Sequence, residues 1–247
     1  MIKINHSFQK KINVVLVVVL LLLLFSALKP IYAQNAERQQ VIDNLALDYM
    51  RIAGNQSVLF YGIEQMAHPR VLNHPYLNSE RYAPARLSFN GVIYPEVMLR
   101  LDLSRDELVI QSPDLRNIVL CPENVDFAEL HGRRIIYFRH DYLPGSPPTG
   151  YYFLLHSGET KVLKRQTATL VIDQARRGQY FRFTSRIFLY KDGAYHTIRN
   201  RRGLLRVLSP HRRELRQFIS ANRLRFRRNA EEFITQVVRE YEKLSAL

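Results

Sequence analysis

Hydrophobic and polar residues alternate through much of the chain, which is the pattern of strands with one buried face. In residues 99–104 (LRLDLS), leucines at odd positions alternate with polar residues such as Arg100 and Asp102. We therefore expect this strand to bury its leucine face and to expose its polar face to solvent. The preceding pair Asn90–Gly91 is suited to the two positive φ angles of a two-residue hairpin turn.

Similar short runs of strand-forming residues continue through residues 57–200, with turn signals between them such as His131–Gly132 and Asp192–Gly193. Regular short strands with such turns indicate a mainly β fold. The prediction is an antiparallel β-sandwich or open barrel of eight or more strands. Its first strand is expected within residues 57–66 (SVLFYGIEQM), and residues 143–150 (LPGSPPTG) are expected to form a stiff contact loop at the rim.

The hydrophobic period changes from two to that of a helix after residue 200. Two amphipathic α-helices are predicted within residues 201–247, packed on the β domain. Ser209–Pro210 is a start signal for the first helix. Asn229, followed by Glu232, has the spacing of a capping box for the second. The apolar stripe of the second helix consists of Phe233, Ile234, Val237, Val238, Tyr241 and Leu244.

The first residues have the layout of an export signal. Lysines precede an unbroken apolar run over residues 14–25, and a polar switch follows. Residues 1–33 are predicted to be a cleaved signal peptide. The alternative is an uncleaved anchor, because residues 12–28 approach the length of a membrane span. The signal predicts an exported protein that is periplasmic or associated with the outer surface. It is not expected to be a lipoprotein, because Gln34 stands where a lipoprotein would need cysteine. Residues 34–56 would form an N-terminal segment with a short helix.

Positive charge is concentrated near the C-terminus. The net charge is +14, and the stretch from Arg199 to Arg228 has eleven arginines against one acid, Glu214. One interpretation is a solvated surface whose arginine stems cover part of the core. The other is a face that binds anions, because the guanidinium fork matches phosphate and carboxylate. The residues predicted to bind an anionic surface are Arg212, Arg213, Arg216, Arg223, Arg225, Arg227 and Arg228.

The sequence has no recognisable motif for catalysis, cofactor binding or metal binding. His68 and His74 lie in one short loop, but no third ligand with suitable spacing accompanies them, so no metal site is predicted. Asp102 and Glu107 can approach each other across a turn, yet carboxylates on a solvated strand face are usually idle. Cys121, the sole cysteine, is expected to be a buried and inert thiol. No catalytic residue, cofactor or metal is predicted.

The most distinctive segments of the chain include FNGVIYPEVMLRLDLSRDELVI, LYKDGAYHTI and HRRELRQFISANRLRFRRNAEEFITQVVREYEKL. These segments resemble a family of uncharacterised exported proteins of Bacteroidetes-type bacteria. The resemblance spans residues 57–244 and rests on hairpin and helix-pair motifs. Leu101 stands where a tyrosine often precedes the Asp-Leu pair, and the linker between the helices is richer in arginine. The resemblance implies fold and export, and no activity.

Together these observations favour a non-enzymatic binding or docking module of the cell envelope. Its partner would be an envelope protein or an anionic glycolipid or polymer, with only peripheral membrane contact. Nucleic acid is not expected, because export separates the chain from it and no stacking platform or recognisable motif is present. The alternative is a secreted hydrolase or carbohydrate-handling protein with a site at the loop rim near residues 68–76 and 143–150.

Overall fold

The computed structural model describes residues 36–69, 71–173 and 178–246. The signal peptide predicted for residues 1–33 lies outside these residues. The chain divides into two compact units, Met1–Arg51 and Ile52–Leu247.

Helix α1 covers residues 36–53, within the segment where a short helix was predicted. Among the described residues, no helix combines the length and the apolar character that crossing a membrane requires.

The second unit is built on strands. The strands are β1 (Ile63–Glu64), β2 (Ala83–Phe89), β3 (Val92–Asp102), β4 (Glu107–Gln111), β5 (Asn117–Val119), β6 (Val125–Leu130), β7 (Arg133–Phe138), β8 (Gly150–Ser157), β9 (Lys161–Asp173), β10 (Gly178–Lys191) and β11 (Ala194–Ile198). These eleven described strands form one antiparallel sheet in the order β1-β5-β4-β3-β2-β6-β7-β8-β9-β10-β11. The sheet is not closed, because β1 and β11 occupy its two ends. The prediction of a mainly β, antiparallel fold is confirmed.

Two-residue turns join several neighbouring strands. Asn90 and Gly91 have φ angles of 52° and 73°, and the strand residues on either side pair directly. Residues 131–132 and 192–193 form equivalent turns with two positive φ angles. The predicted hairpin turn at Asn90–Gly91 is therefore confirmed. Asn and Gly favour it because they tolerate positive φ angles better than other residues.

The predicted first strand is wrong for most of its length. Val58–Phe60 is a 3₁₀ turn, capped by Ser57, whose hydroxyl accepts a hydrogen bond from the amide of Leu59. Only Ile63–Glu64 pairs with the sheet, against β5. Leu59 and Phe60 are both buried although they are adjacent. Burial of adjacent side chains does not fit a strand with one buried face.

Three α-helices follow the sheet: α2 (Arg201–Val207), α3 (Arg212–Ala221) and α4 (Ala230–Ser245). The two predicted C-terminal helices correspond to α3 and α4, and α2 is additional. Asn200 caps α2 by accepting a hydrogen bond from the Gly203 amide at 2.8 Å.

The C-terminal helices cover one face of the sheet end formed by β8–β11. This helix face carries Val162, Ile187 and Leu189, which belong to one buried cluster with residues of all three helices. Neighbouring strand residues point to the opposite side. There Tyr152, Leu163, Phe188 and Tyr195 form a second cluster, on what we call the aromatic face.

Candidate functional site

The loop between α3 and α4 arranges its side chains by alternation. Leu224 and Phe226 are half-buried and pack against the helix-face cluster. The Phe226 ring meets the ring of Phe233 edge-on, with centroids 5.5 Å apart. Arg223, Arg225 and the following arginines are therefore exposed, because the apolar residues between them anchor the loop.

These arginines line a groove together with the start of α2. The groove has a volume of about 790 Å³. We call it the arginine groove, and its lining residues are Asn200, Arg201, Arg202, Leu224, Arg225, Phe226, Arg227 and Arg228. A neighbouring cleft of about 760 Å³ includes Arg223, Arg225 and Arg228 and reaches Glu232 on α4. The lining of the arginine groove thus combines arginine side chains with the apolar side chains of Leu224 and Phe226.

The arginines here are not paired with acidic side chains of the described residues. None of the eleven arginines from Arg199 to Arg228 joins its side chain to another described residue through an ion pair or hydrogen bond. Elsewhere in the described chain, Arg133 pairs with Glu231 and Arg165 with Asp106. The arginine groove is therefore a concentrated positive surface whose hydrogen-bond donors are available to an anion.

The predicted anion-binding residues fall into two groups. Arg223, Arg225, Arg227 and Arg228 line the arginine groove or the neighbouring cleft. Arg212, Arg213 and Arg216 are exposed along α3 and do not line the groove. Arg201 and Arg202 were not selected from the sequence. The capping residue Asn200 directly before them was the available signal, since it places both at the start of a helix.

Asp102 is the centre of a buried polar cluster, so the expectation that it faces solvent is wrong. It is fully buried because the segment before β2 crosses it, with Tyr76 bridged to Asp102. Its Oδ2 lies 2.5 Å from His68 Nε2 and accepts from Gln65 Nε2 at 2.9 Å. Its Oδ1 accepts the amides of Ser104 and Arg105.

The contacts of Asp102 limit what it can do chemically. A carboxylate offers about four lone-pair positions, and four donor groups already surround this one. Gln65 also donates to Glu107, the residue opposite Asp102 on β4, at 3.3 Å. The two carboxylates therefore share one amide donor, and the Asp102 carboxylate acts as an acceptor within the fold.

Around this cluster, Arg100 is held between aromatic rings. Its guanidinium carbon lies 4.0 Å from the centroid of Tyr76 and 4.4 Å from that of Tyr82. Burial raises the pKa of Tyr82 to about 12, and Arg100 only partly opposes this shift. The ring of His74 stacks with that of Tyr76, with centroids 6.2 Å apart. The rings of His68 and His74 both contact Tyr76, and no group of three or more metal-ligating side chains occurs in the described residues.

Cys121 is exposed, so the prediction of a buried thiol is wrong. β5 ends at Val119, and Cys121 stands outside the sheet as the residue before a 3₁₀ turn. Its Sγ donates to Glu123 Oε2 at 3.2 Å, and this hydrogen bond lowers the pKa of Glu123.

The alternative site predicted at the loop rim is only partly assembled. A cleft of about 370 Å³ on the aromatic face receives Pro148 from residues 143–150, and residues 68–76 do not line it. We call it the sheet cleft. Its lining residues are Leu103, Ser104, Asp106, Pro148, Arg165, Thr167, Ala168, Thr169, Thr184, Arg186 and Phe188.

Searches of family models, curated proteins and solved structures give no match to this chain.

Proposed function

We propose that the protein is a non-enzymatic binding module that docks an anionic phospholipid or glycolipid surface through the arginine groove. The single observation that carries the proposal is the set of arginines around the groove that make no ion pair with a described residue. Phosphate is the anion that this set fits best, because several guanidinium groups can each give it two parallel hydrogen bonds. Leu224 and Phe226 in the groove offer apolar contact to the carbon atoms next to a headgroup.

The setting of this binding is the cell envelope. The signal predicted in residues 1–33 and the resemblance to exported proteins of Bacteroidetes-type bacteria both support export. An exported protein meets phosphate-bearing lipids at the membrane surface, where a cluster of arginines gains about 1 kcal/mol of attraction for each charge.

A vesicle-binding assay with the full chain tests the proposal. The groove variant carries Arg201→Ser, Arg202→Ser, Arg225→Ser and Arg228→Ser. The control variant carries Arg206→Ser, Arg212→Ser, Arg213→Ser and Arg216→Ser, all exposed and outside the groove. Both variants lose the same charge, so a difference between them reports position. Vesicles of phosphatidylcholine, with and without phosphatidylglycerol, separate charge-dependent binding from any apolar contribution of residues 1–33.

We expect the groove variant to bind anionic vesicles at least about tenfold more weakly than the control variant at low salt. High salt should reduce this difference, because it screens exposed charges. Equal losses in both variants would show that only net charge matters. Unchanged binding in the groove variant would show that these arginines form a solvated surface.

We also propose that the open sheet is curled into an open barrel. The Ala168 amide on β9 donates to the carbonyl of Leu103, directly after β3, at 2.9 Å. β3 and β9 are five places apart in the sheet order, a distance of about 24 Å in a flat sheet. The hydrogen bond requires the sheet to bend until these strands meet, which supports the barrel.

A further inference from the structure

The sheet cleft places two arginines side by side. Arg165 on β9 and Arg186 on β10 are directly opposite each other in the strand register. Like charges in this position destabilise a sheet, because their side chains lie on the same face a few ångströms apart. Such a pair is retained at a cost to folding unless something neutralises it.

Asp106 neutralises only one of the two arginines. Its Oδ2 accepts from Arg165 Nη2 at 3.0 Å, and both its oxygens lie within 3.3 Å of the Tyr151 amide. Gly150 makes room for this arrangement, since a Cβ there would come within 2.0 Å of Asp106 Oδ2. The end of the loop at residues 143–150 is thus shaped around the ion pair.

Arg186 has no such partner. Its side chain makes no ion pair or hydrogen bond with another described residue, and it is exposed. The charges of Arg165, Arg186 and Asp106 leave one positive charge in excess at the cleft. An anionic group placed beside Arg186 would remove the repulsion that the strand register imposes.

Hydroxyl groups surround this excess charge. Thr167 Oγ1 and Thr184 Oγ1 are 2.9 Å apart, so one hydroxyl donates to the other and the acceptor keeps its own proton. Ser104 and Thr169 add two further hydroxyls to the lining, and Phe188 contributes an aromatic surface. Several hydroxyl groups, each able to donate and to accept, beside an aromatic side chain match the hydroxyls and the C–H face of a sugar.

We propose that the sheet cleft binds a small anionic sugar, a phosphorylated or carboxylated monosaccharide. Its anionic group lies between Arg186 and Arg165, and its hydroxyls meet Thr167 and Thr184. The cleft volume of about 370 Å³ is close to the lower limit for ligand pockets and suits a single sugar ring. The sheet cleft shares no lining residue with the arginine groove, although another cleft is lined by both Arg186 and Phe226 of the groove.

Isothermal titration of the full chain with glucose 6-phosphate, glucuronate and glucose tests the proposal. The two anionic probes separate a phosphate from a carboxylate ligand, and glucose reports recognition of hydroxyls alone. Arg186→Gln removes the free charge. Arg182→Gln is the matched control, because Arg182 is exposed, lies four residues away on the same face of β10 and does not line the cleft.

We expect at least one anionic probe to bind more tightly than glucose, and Arg186→Gln to weaken it at least about tenfold. Arg182→Gln should change its affinity by less than about twofold. Arg186→Gln should also leave the melting temperature of the free protein unchanged or higher, because it removes a like-charge contact. That readout separates a lost binding site from a damaged fold.

Three outcomes would overturn the proposal. They are the absence of binding by both anionic probes, equal affinity for glucose, and equal losses in Arg186→Gln and Arg182→Gln. The groove variant keeps all sheet-cleft residues, so it should bind the anionic probe as the unmodified chain does. Failure of vesicle docking and failure of sugar binding are therefore distinguishable.

Discussion

Glu242 shows how a single side chain fastens α4 to the sheet. Its Oε1 accepts from the Thr160 amide at 2.9 Å and from the Thr160 hydroxyl at 2.6 Å. Its Oε2 lies 2.8 Å from His156 Nε2. Burial raises the pKa of Glu242, but these hydrogen bonds outweigh it, so the pKa is lowered overall. The carboxylate form is therefore the one that stabilises the fold.

Replacing Glu242 by Gln should lower the free energy of unfolding by about 1.5–3 kcal/mol near pH 7, because it removes charge-assisted hydrogen bonds. A carboxyl whose pKa is lower in the folded protein stabilises the fold above its ordinary pKa. That contribution is lost as the pH falls through the folded pKa. Urea unfolding from pH 7 to about pH 3 should therefore show the two proteins converging in acid.

The matched control for this change is Glu240→Gln on the same helix. Within the described part of the chain, Glu240 pairs only with the exposed Lys243, at 3.6 Å. Such a surface pair contributes about 0–1 kcal/mol, so this variant should stay close to the unmodified chain. A constant loss in Glu242→Gln across the whole pH range would show that the charge of Glu242 has no part in the effect.

Single-residue predictions from the sequence depended on what covers a strand face. The alternation that placed Leu99 and Leu101 in the core is correct, and both are buried. The same alternation predicted that Asp102 is exposed to solvent, but Asp102 is fully buried. Period two separates the two faces of a strand, but a segment distant in sequence decides whether the second face is covered. Gln65, His68 and residues 75–77 cover it here, and no local signal at Asp102 indicates this.

At the scale of elements, local chemistry predicted the start of α4 but not that of α3. Ser209–Pro210, the predicted start signal, lies in a 3₁₀ turn, and no side chain of the described residues caps the start of α3. Asn229 Oδ1 accepts from the Glu232 amide at 3.1 Å, and Asn229 Nδ2 donates to Glu232 Oε2 at 3.1 Å. The predicted capping of α4 is therefore confirmed. It could be predicted from the sequence because the interaction spans only three residues. β1 was mispredicted over most of its length, since its pairing with β5 joins segments far apart in the sequence.

Replacing Asn229 by Ala should cost about 1 kcal/mol of unfolding free energy, because the first amides of α4 lose their acceptor. Asn229→Ser should recover most of this loss, since serine also caps helices well. Chemical denaturation of the three proteins at neutral pH measures both effects. If alanine and serine gave the same stability, the side chain of Asn229 would contribute packing rather than a cap.

For the whole molecule, the sequence is least informative about which distant segments meet. Both candidate sites depend on such meetings. The arginine groove joins the start of α2 to the α3–α4 loop, and the sheet cleft joins the turn after β3 to β9 and β10. The arginine-rich loop was recognisable from composition alone. Arg165 and Arg186 were not, because their pairing follows from the register of two long strands and not from any motif.

The curl of the sheet can be tested through one amide. The backbone N–H and C=O of Phe181 on β10 are hydrogen-bonded to the side chain of Asn73 and therefore point away from β9. Phe181 and its register partner Leu170 thus form a pair without mutual hydrogen bonds, and the amide of Leu170 points away from β10. Ala168, two residues earlier, directs its amide the same way and reaches the Leu103 carbonyl. In a flat sheet neither amide would reach that carbonyl.

We therefore expect hydrogen exchange at Ala168 to be at least about tenfold slower than at Leu170 in the folded protein. Equal exchange rates would mean that β3 and β9 do not meet, and the sheet cleft would then lose the wall that holds Ser104 and Asp106.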